Sequence, residues 1–201
     1  MIGGVCLNEW LIREGYLVLH RRPQKPSPVE QCDVDWGRTR AWGSGGYYAR
    51  LMLNVRDREP QGIIRPGDEY EHTRSELKEK LAVLPDHEGN LMETFAVRPE
   101  EVYSEVRGVP PDLFVYFGNL SWRSIGSIWP EPPDSVCTFE NDTGADDANH
   151  DWHGIFIMRE GDGLASTRLE GLDLKDVAPT ILTLLGVDVP TDMKGRAIRR
   201  G

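Results

Sequence analysis

Residues 142–200 read DTGADDANHDWHGIFIMREGDGLASTRLEGLDLKDVAPTILTLLGVDVPTDMKGRAIRR, and this stretch decides the fold prediction. It opens with a polar loop that is rich in metal-capable side chains: Asp142, Asp146, Asp147, Asn149, His150, Asp151 and His153. The apolar run over 154–158 follows and predicts a buried strand. Residues 176–185 then predict a helix with four apolar side chains near one face: Val177, Ile181, Leu184 and Leu185. A ligand-rich loop beside a buried strand is where α/β proteins place their chemistry.

The segments before this stretch alternate between predicted helices and strands. Hydrophobic periodicity predicts helices from Val5 to Gly15 and over 70–84, and strands over 47–55 and 91–97. Five consecutive apolar residues over 113–117 predict a fully buried strand of the parallel-sheet type. This order indicates an α/β protein. We expect a single domain over 1–201, with a small inserted lobe over roughly 36–105.

Composition and charge narrow the function classes. The chain has 201 residues and a net charge of −10. An acidic chain is a poor match for nucleic acid, whose recognition depends on positive charge. No apolar window is long enough for a membrane span, and no signal peptide is apparent. The three cysteines form no CxxC motif, which favours packing residues and a cytoplasmic location.

Two further segments contain residues that could bind a ligand. The glycines of residues 43–46 match neither a P-loop nor a dinucleotide-binding fingerprint. They therefore predict a tight turn rather than a ligand loop. Arg123 follows the apolar run over 113–117, where ligand loops sit in parallel sheets. It is a candidate for binding a phosphate-bearing substrate, with a surface ion pair as the alternative.

The segment DVAPTILTLLGVDVP followed by Gly195 resembles the C-terminal helix signature of the alkaline phosphatase superfamily. ANHDWHGIFI is similar to the step before that helix, where a metal-binding histidine precedes a core strand. GVCLNEWLIREGYL, GGYYARLMLN, PDLFVYFGNLSWRSIGS and FENDTGADDANH also resemble, in this order, a branch of predicted phosphohydrolases and phosphomutases related to type I phosphodiesterases. The resemblance implies the C-terminal part of a three-layer sandwich with a mostly parallel sheet.

The resemblance also implies a site. Enzymes of the alkaline phosphatase superfamily hold two divalent cations. The resemblance therefore implies zinc or manganese here, with at most a partial site in this chain. His150 is the expected metal ligand, and His153 is a ligand or an orienting neighbour. Asp147 is a further candidate ligand. Spacing alone would favour two unliganded histidines in a surface loop. The hydroxyl nucleophile lies in the N-terminal region of such enzymes, so Thr143 is not assigned to that role and no catalytic residue is predicted.

The resulting hypothesis is that the chain forms the C-terminal portion of a metal-dependent phosphohydrolase or phosphodiesterase that acts on phosphate esters. The family region that carries the nucleophile is not recognisable in this sequence. A separate N-terminal half or a second copy of the chain is therefore an expected partner. The alternative is a non-catalytic, truncated or partner-binding half of such an enzyme.

Overall fold

The computed structural model describes residues 2–140, 150–159 and 168–198. The chain divides into two compact units, Met1–Gly154 and Ile155–Gly201. The predicted single domain over 1–201, with its lobe over 36–105, stays a prediction. Over the described ranges, no helix has the length and apolar character needed to cross a membrane. The cytoplasmic location also stays a prediction.

The strands of the first unit are short. They are β1 Gly3–Cys6, β2 Leu19–Arg21, β3 Ser27–Pro28, β4 Asp33–Val34, β5 Ala41–Ser44, β6 Ala49–Leu53, β7 Phe95–Val97, β8 Leu113–Tyr116, β9 Trp122–Ile125, β10 Ser127–Ile128 and β11 Cys137–Thr138. The described residues also contain four α-helices, three in this unit and one in the second: α1 Leu7–Arg13, α2 Asp68–Ala82, α3 Pro99–Val102 and α4 Val177–Leu184.

The predicted mostly parallel three-layer sandwich is wrong. Among the described residues the strands form a four-stranded sheet (β5-β6-β8-β7), a three-stranded sheet (β11-β1-β9) and two two-stranded sheets (β10-β3, β2-β4). Only β1 and β9 pair in parallel within these sheets, and every other strand pair is antiparallel. The architecture is therefore a mixed α/β arrangement of small, mainly antiparallel sheets.

Strand β8 shows why the prediction failed. It is antiparallel to both of its neighbours, β6 and β7. Leu113 and Val115 are fully buried in the core, whereas Phe114 and Tyr116 on the alternate face are half-buried and contact other aromatic rings. An apolar residue at every position normally indicates helices on both faces of a parallel sheet. Here aromatic side chains cover the second face instead.

Several local predictions are confirmed. Helix α1 is followed by Gly15 at φ 79°, a left-handed position that glycine adopts without steric cost. Helix α2 buries Leu77 and Leu81 on one face, and its first turn carries acidic residues that favour the helix N-terminus. Strand β7 lies at the edge of its sheet, as expected.

A buried carboxylate accepts hydrogen bonds from three separate segments of this unit. Asp112 is 2% exposed. Its oxygens accept hydrogen bonds from the Leu53 N–H at 2.6 Å, from both terminal nitrogens of Arg58 at 2.7 Å, and from the Tyr70 hydroxyl at 2.7 Å. Burial and the Asp112 hydrogen bond raise the pKa of Tyr70 to about 12. The same carboxylate raises the pKa of Arg58. The ion pair with Arg58 and the further hydrogen bonds offset the cost of removing the Asp112 charge from water.

The second unit keeps its predicted helix but not its predicted strand. Residues 154–158 form no strand, and Ile155 and Ile157 are 91% and 88% exposed. A strand also needs a neighbouring strand that bonds its backbone N–H and C=O groups, and an apolar composition does not supply one. Helix α4 forms, and its start is held by the N–H of Arg196, which donates to Asp176 Oδ1 at 2.8 Å. Its expected apolar face is largely exposed.

Candidate functional site

Strand β9 places Arg123 inside the first unit. β9 runs parallel to β1, and Arg123 pairs with Gly4 in that register. Arg123 is 7% exposed. A buried arginine is a more fixed donor than one on the surface, because packing limits its rotamers. Phosphate binding by Arg123 stays a prediction.

Gly45 and Gly46 form a glycine turn after β5 that packs against β9. Of the predicted turn over 43–46, Gly43 and Ser44 belong instead to β5, where they pair with Leu51 and Arg50. Gly46 and Ser124 exchange two backbone hydrogen bonds, at 2.8 and 2.9 Å. A Cβ added to Gly45 would lie 2.6 Å from the backbone nitrogen of Gly126, and one on Gly126 would lie 2.5 Å from the nitrogen of Gly45. The two glycines are therefore needed for this close approach of backbone to backbone.

Asn8, in α1, holds strand β5 beside the segment that follows β9. It is fully buried. Its Nδ2 donates to the carbonyl oxygens of Gly43 at 2.8 Å and Gly126 at 2.7 Å, and its Oδ1 accepts from the Gly43 N–H at 2.8 Å. One side chain thus joins strand β5, the segment after β9 and helix α1. A buried amide that is satisfied in this way fixes the relative position of the segments it joins.

His150, the predicted metal ligand, lies beside the same turn. Its imidazole meets the ring of Tyr47 edge to face, with ring centroids 4.0 Å apart and planes at 74°. Tyr47 follows Gly46, and Gly46 pairs with Ser124 next to Arg123. His150 therefore contacts the residue that follows Gly46, and Gly46 itself is paired with β9. The imidazole is exposed, which leaves it accessible to a ligand.

The other predicted metal-site residues are less closely tied to this neighbourhood. His153 is exposed, and its backbone N–H donates to Asp151 Oδ1 at 3.1 Å. Asp147 lies outside the described residues, as do Asp142 and Asp146. Within the described ranges, no group of three or more His, Cys, Asp or Glu side chains is arranged to hold a metal ion.

Trp152 attaches the loop of His150 to the four-stranded sheet. Its indole stacks near Tyr116 and Phe95, at centroid distances of 5.0 and 6.2 Å. Its indole N–H donates to Asn119 Oδ1 at 2.9 Å. Asn119 is in the left-handed region at φ 52°, between Gly118 and Leu120, whose φ values are also positive. Consecutive residues in this region are costly and persist only where surrounding contacts support them.

Sequence reasoning missed the aromatic cluster around this attachment. It is defined by Tyr48, Phe95, Phe114, Tyr116 and Trp152, whose ring centroids lie 5.0–6.2 Å from a neighbour in the cluster. Phe95 and Tyr116 are direct cross-strand partners in β7 and β8. The sequence did carry a signal for this cluster. Phe114 and Tyr116 occupy alternate positions of β8, which indicates that the face opposite the core is also covered.

We expect the Asn119 hydrogen bond to restrain the His150 loop. In Asn119→Gly the acceptor is lost, while glycine tolerates the positive φ. Loss of a neutral hydrogen bond of about 1 kcal/mol should speed amide exchange over 150–153 about fivefold. Hydrogen exchange followed by mass spectrometry measures this. Glu88→Gln, in an exposed loop, should leave the rate unchanged. An unchanged rate in Asn119→Gly would show that this hydrogen bond does not hold the loop.

Comparison of the chain with protein-family models, with curated proteins and with solved structures gave no match in any of the three searches.

Proposed function

We propose that this chain contributes the C-terminal portion of a metal-dependent phosphohydrolase or phosphodiesterase of the alkaline phosphatase superfamily. In this proposal His150 is a ligand of one divalent cation, zinc or manganese, and Arg123 binds the phosphate group of the substrate. His153 orients the loop or adds a ligand. A phosphate ester is the substrate class. The cation would supply the positive charge that the acidic chain lacks, and would polarise a phosphoryl oxygen.

One observation carries the proposal: an exposed imidazole and a buried arginine are linked through the same glycine turn. His150 contacts Tyr47, and the neighbouring Gly46 is bonded to Ser124, next to Arg123. Accessible imidazole nitrogen suits zinc and manganese, and a fixed guanidinium suits the oxygens of a phosphate. Since the described residues offer no group of three metal-capable side chains, further ligands would have to come from outside those residues.

The test is metal binding by the purified chain. Zinc or manganese is added by equilibrium dialysis, and metal content is measured by mass spectrometry. We expect binding of up to one equivalent in the wild-type chain, its loss in His150→Ala, and its retention in His72→Ala, which removes an exposed histidine on α2. Equal metal content in wild type and His150→Ala would contradict the assignment. So would a wild-type chain that binds neither ion.

A second candidate function is a non-catalytic, partner-binding half. It is favoured by exposed apolar side chains of the second unit. Among its described residues, four apolar side chains exceed 70% exposure: Ile155, Ile157, Leu174 and Leu185. Apolar surface of this kind marks interaction sites. In this case His150→Ala leaves metal content unchanged, whereas Ile155→Asp weakens self-association or binding of a separate N-terminal half in light-scattering measurements.

A further inference from the structure

We propose a second binding site, for a quaternary ammonium group, in a cavity between two tryptophans and two glutamates. The cavity of about 320 Å³ is lined by Glu30, Trp36, Trp42, Asn54, Glu59, Pro60 and Gln61. Its volume lies at the lower end of the range of small-molecule pockets, about 300–1,000 Å³. The site is independent of the proposed phosphoryl chemistry, because it shares none of the residues named for that function.

The tryptophans give the cavity its aromatic walls. The rings of Trp36 and Trp42 meet at 81°, with their centroids 5.0 Å apart. Both are partly buried and pack against the core, which fixes their orientation. Two indoles at right angles form a corner, and the negative face of an indole attracts a weakly hydrated organic cation. Tryptophan is the strongest of the aromatic side chains in this interaction.

Buried hydrogen bonds hold the walls in place. Asn54 is 1% exposed. Its Nδ2 donates to the carbonyl oxygens of Trp36 at 2.8 Å and Gln61 at 3.0 Å, both of which belong to cavity-lining residues. One buried amide therefore ties two sides of the cavity together. A site with fixed walls loses less entropy when a ligand binds, as small-molecule sites generally require.

The charge of the cavity selects a cation. Glu30 is exposed, and the described part of the chain gives it no ion-pair partner. Glu59 accepts a hydrogen bond from Arg58 Nε at 2.9 Å. The Arg58 guanidinium also binds Asp112. Its single positive charge therefore compensates only one of the two carboxylates, Glu59 and Asp112. The surroundings are therefore negative and would repel a phosphate or carboxylate ligand.

A quaternary ammonium fits these walls better than other cations. Inorganic divalent ions need several oxygen or nitrogen ligands, and no such group of His, Cys, Asp and Glu exists among the described residues. A primary ammonium is strongly hydrated, which makes its transfer to an aromatic corner costly. A trimethylammonium group has methyl groups that contact indole faces and spreads its charge over them.

The test uses tetramethylammonium chloride and the intact chain, with sodium chloride at equal concentration as the ionic-strength control. The chain has six tryptophans, and their indole N–H signals are followed by heteronuclear NMR. We expect saturable shifts confined to Trp36 and Trp42, with a dissociation constant on the order of millimolar. The two signals are assigned from Trp36→Phe and Trp42→Phe. Shifts spread over all six indoles, or no saturable shift, would overturn the proposal.

Two comparisons separate cation recognition from simple hydrophobic binding. Choline should bind about tenfold more tightly than its uncharged tert-butyl analogue, and equal affinity would overturn the proposal. Glu30→Gln should weaken choline binding severalfold, while Glu88→Gln, an exposed control, should not. An unaltered affinity in Glu30→Gln would contradict the charge argument. A trimethyllysine peptide that binds more tightly than choline would identify a protein as the source of the trimethylammonium group.

Discussion

Asp112→Ala is expected to lower the free energy of unfolding by about 3 kcal/mol. Alanine removes the acceptor of the Leu53 N–H, of Arg58 and of the Tyr70 hydroxyl. Truncation of one partner of a buried ion pair costs about 3–5 kcal/mol, because the other charge is left without compensation. The lower end applies here, since the Arg58 side chain is 32% exposed and water can reach it. Urea denaturation measures the change.

The matched control for this prediction is Asp33→Ala. Its ion pair with Arg21 is open to solvent, with side-chain exposures of 47% and 83%, so the loss should stay below about 1 kcal/mol. A second result is expected from titration: without the Asp112 carboxylate, the pKa of Tyr70 should fall from about 12 toward 10. A loss no greater than in Asp33→Ala, with the Tyr70 pKa unchanged, would mean that the network is not what stabilises this region.

Gly126→Ala is expected to cost about 3 kcal/mol of stability, at the upper end of the usual range for overpacking. The added Cβ would lie 2.5 Å from the backbone nitrogen of Gly45 and 3.3 Å from its Cα. These are backbone atoms, so no flexible side chain can move aside. The glycine turn at Gly45 and Gly46 must separate from the end of β9, and the Asn8 hydrogen bond to the Gly126 carbonyl is strained or lost.

Gly37→Ala serves as the control for Gly126→Ala, because its nearest non-neighbouring atom would be Asp35 Oδ1 at 3.5 Å. That change should be close to neutral in thermal or urea unfolding. The Gly126 variant should also move the NMR signals of the Tyr47 and His150 rings, since both depend on the position of the turn. A stable Gly126→Ala protein with unmoved ring signals would show that the close approach does not position His150.

Local patterns predicted much of the secondary structure, because they depend on nearby residues. Periodic leucines placed α2, and the run of small and apolar residues before Gly186 placed α4. Strand direction depends on distant partners. β8 could not be assigned as antiparallel, because its second face is covered by rings from segments as distant as Phe95 and Trp152. The apolar run over 154–158 likewise lacks the paired strand that its composition indicated.

The candidate site was only partly predictable for the same reason. His150 was selected from a resemblance and from its place before an apolar run. Its contact with Tyr47, and the attachment of Trp152 to Asn119, join residues far apart in the chain. No short-range pattern encodes such pairs. The buried hydrogen bonds of Asn8 to Gly43 and Gly126 were not predicted, because an asparagine inside an amphipathic helix carries no sequence signal of its distant partners.

The position of β1 has a consequence for how the molecule is made. This strand is central in its sheet, yet Gly4 pairs with Arg123 on one side and with Thr138 on the other. During synthesis β1 leaves the ribosome well before either of its partners, β9 and β11, and must wait for both. Such non-local pairing slows folding and leaves apolar residues such as Val5 uncovered meanwhile. Newly made chains therefore expose this strand to chaperones until Thr138 has emerged, and His150 can reach Tyr47 only after that point.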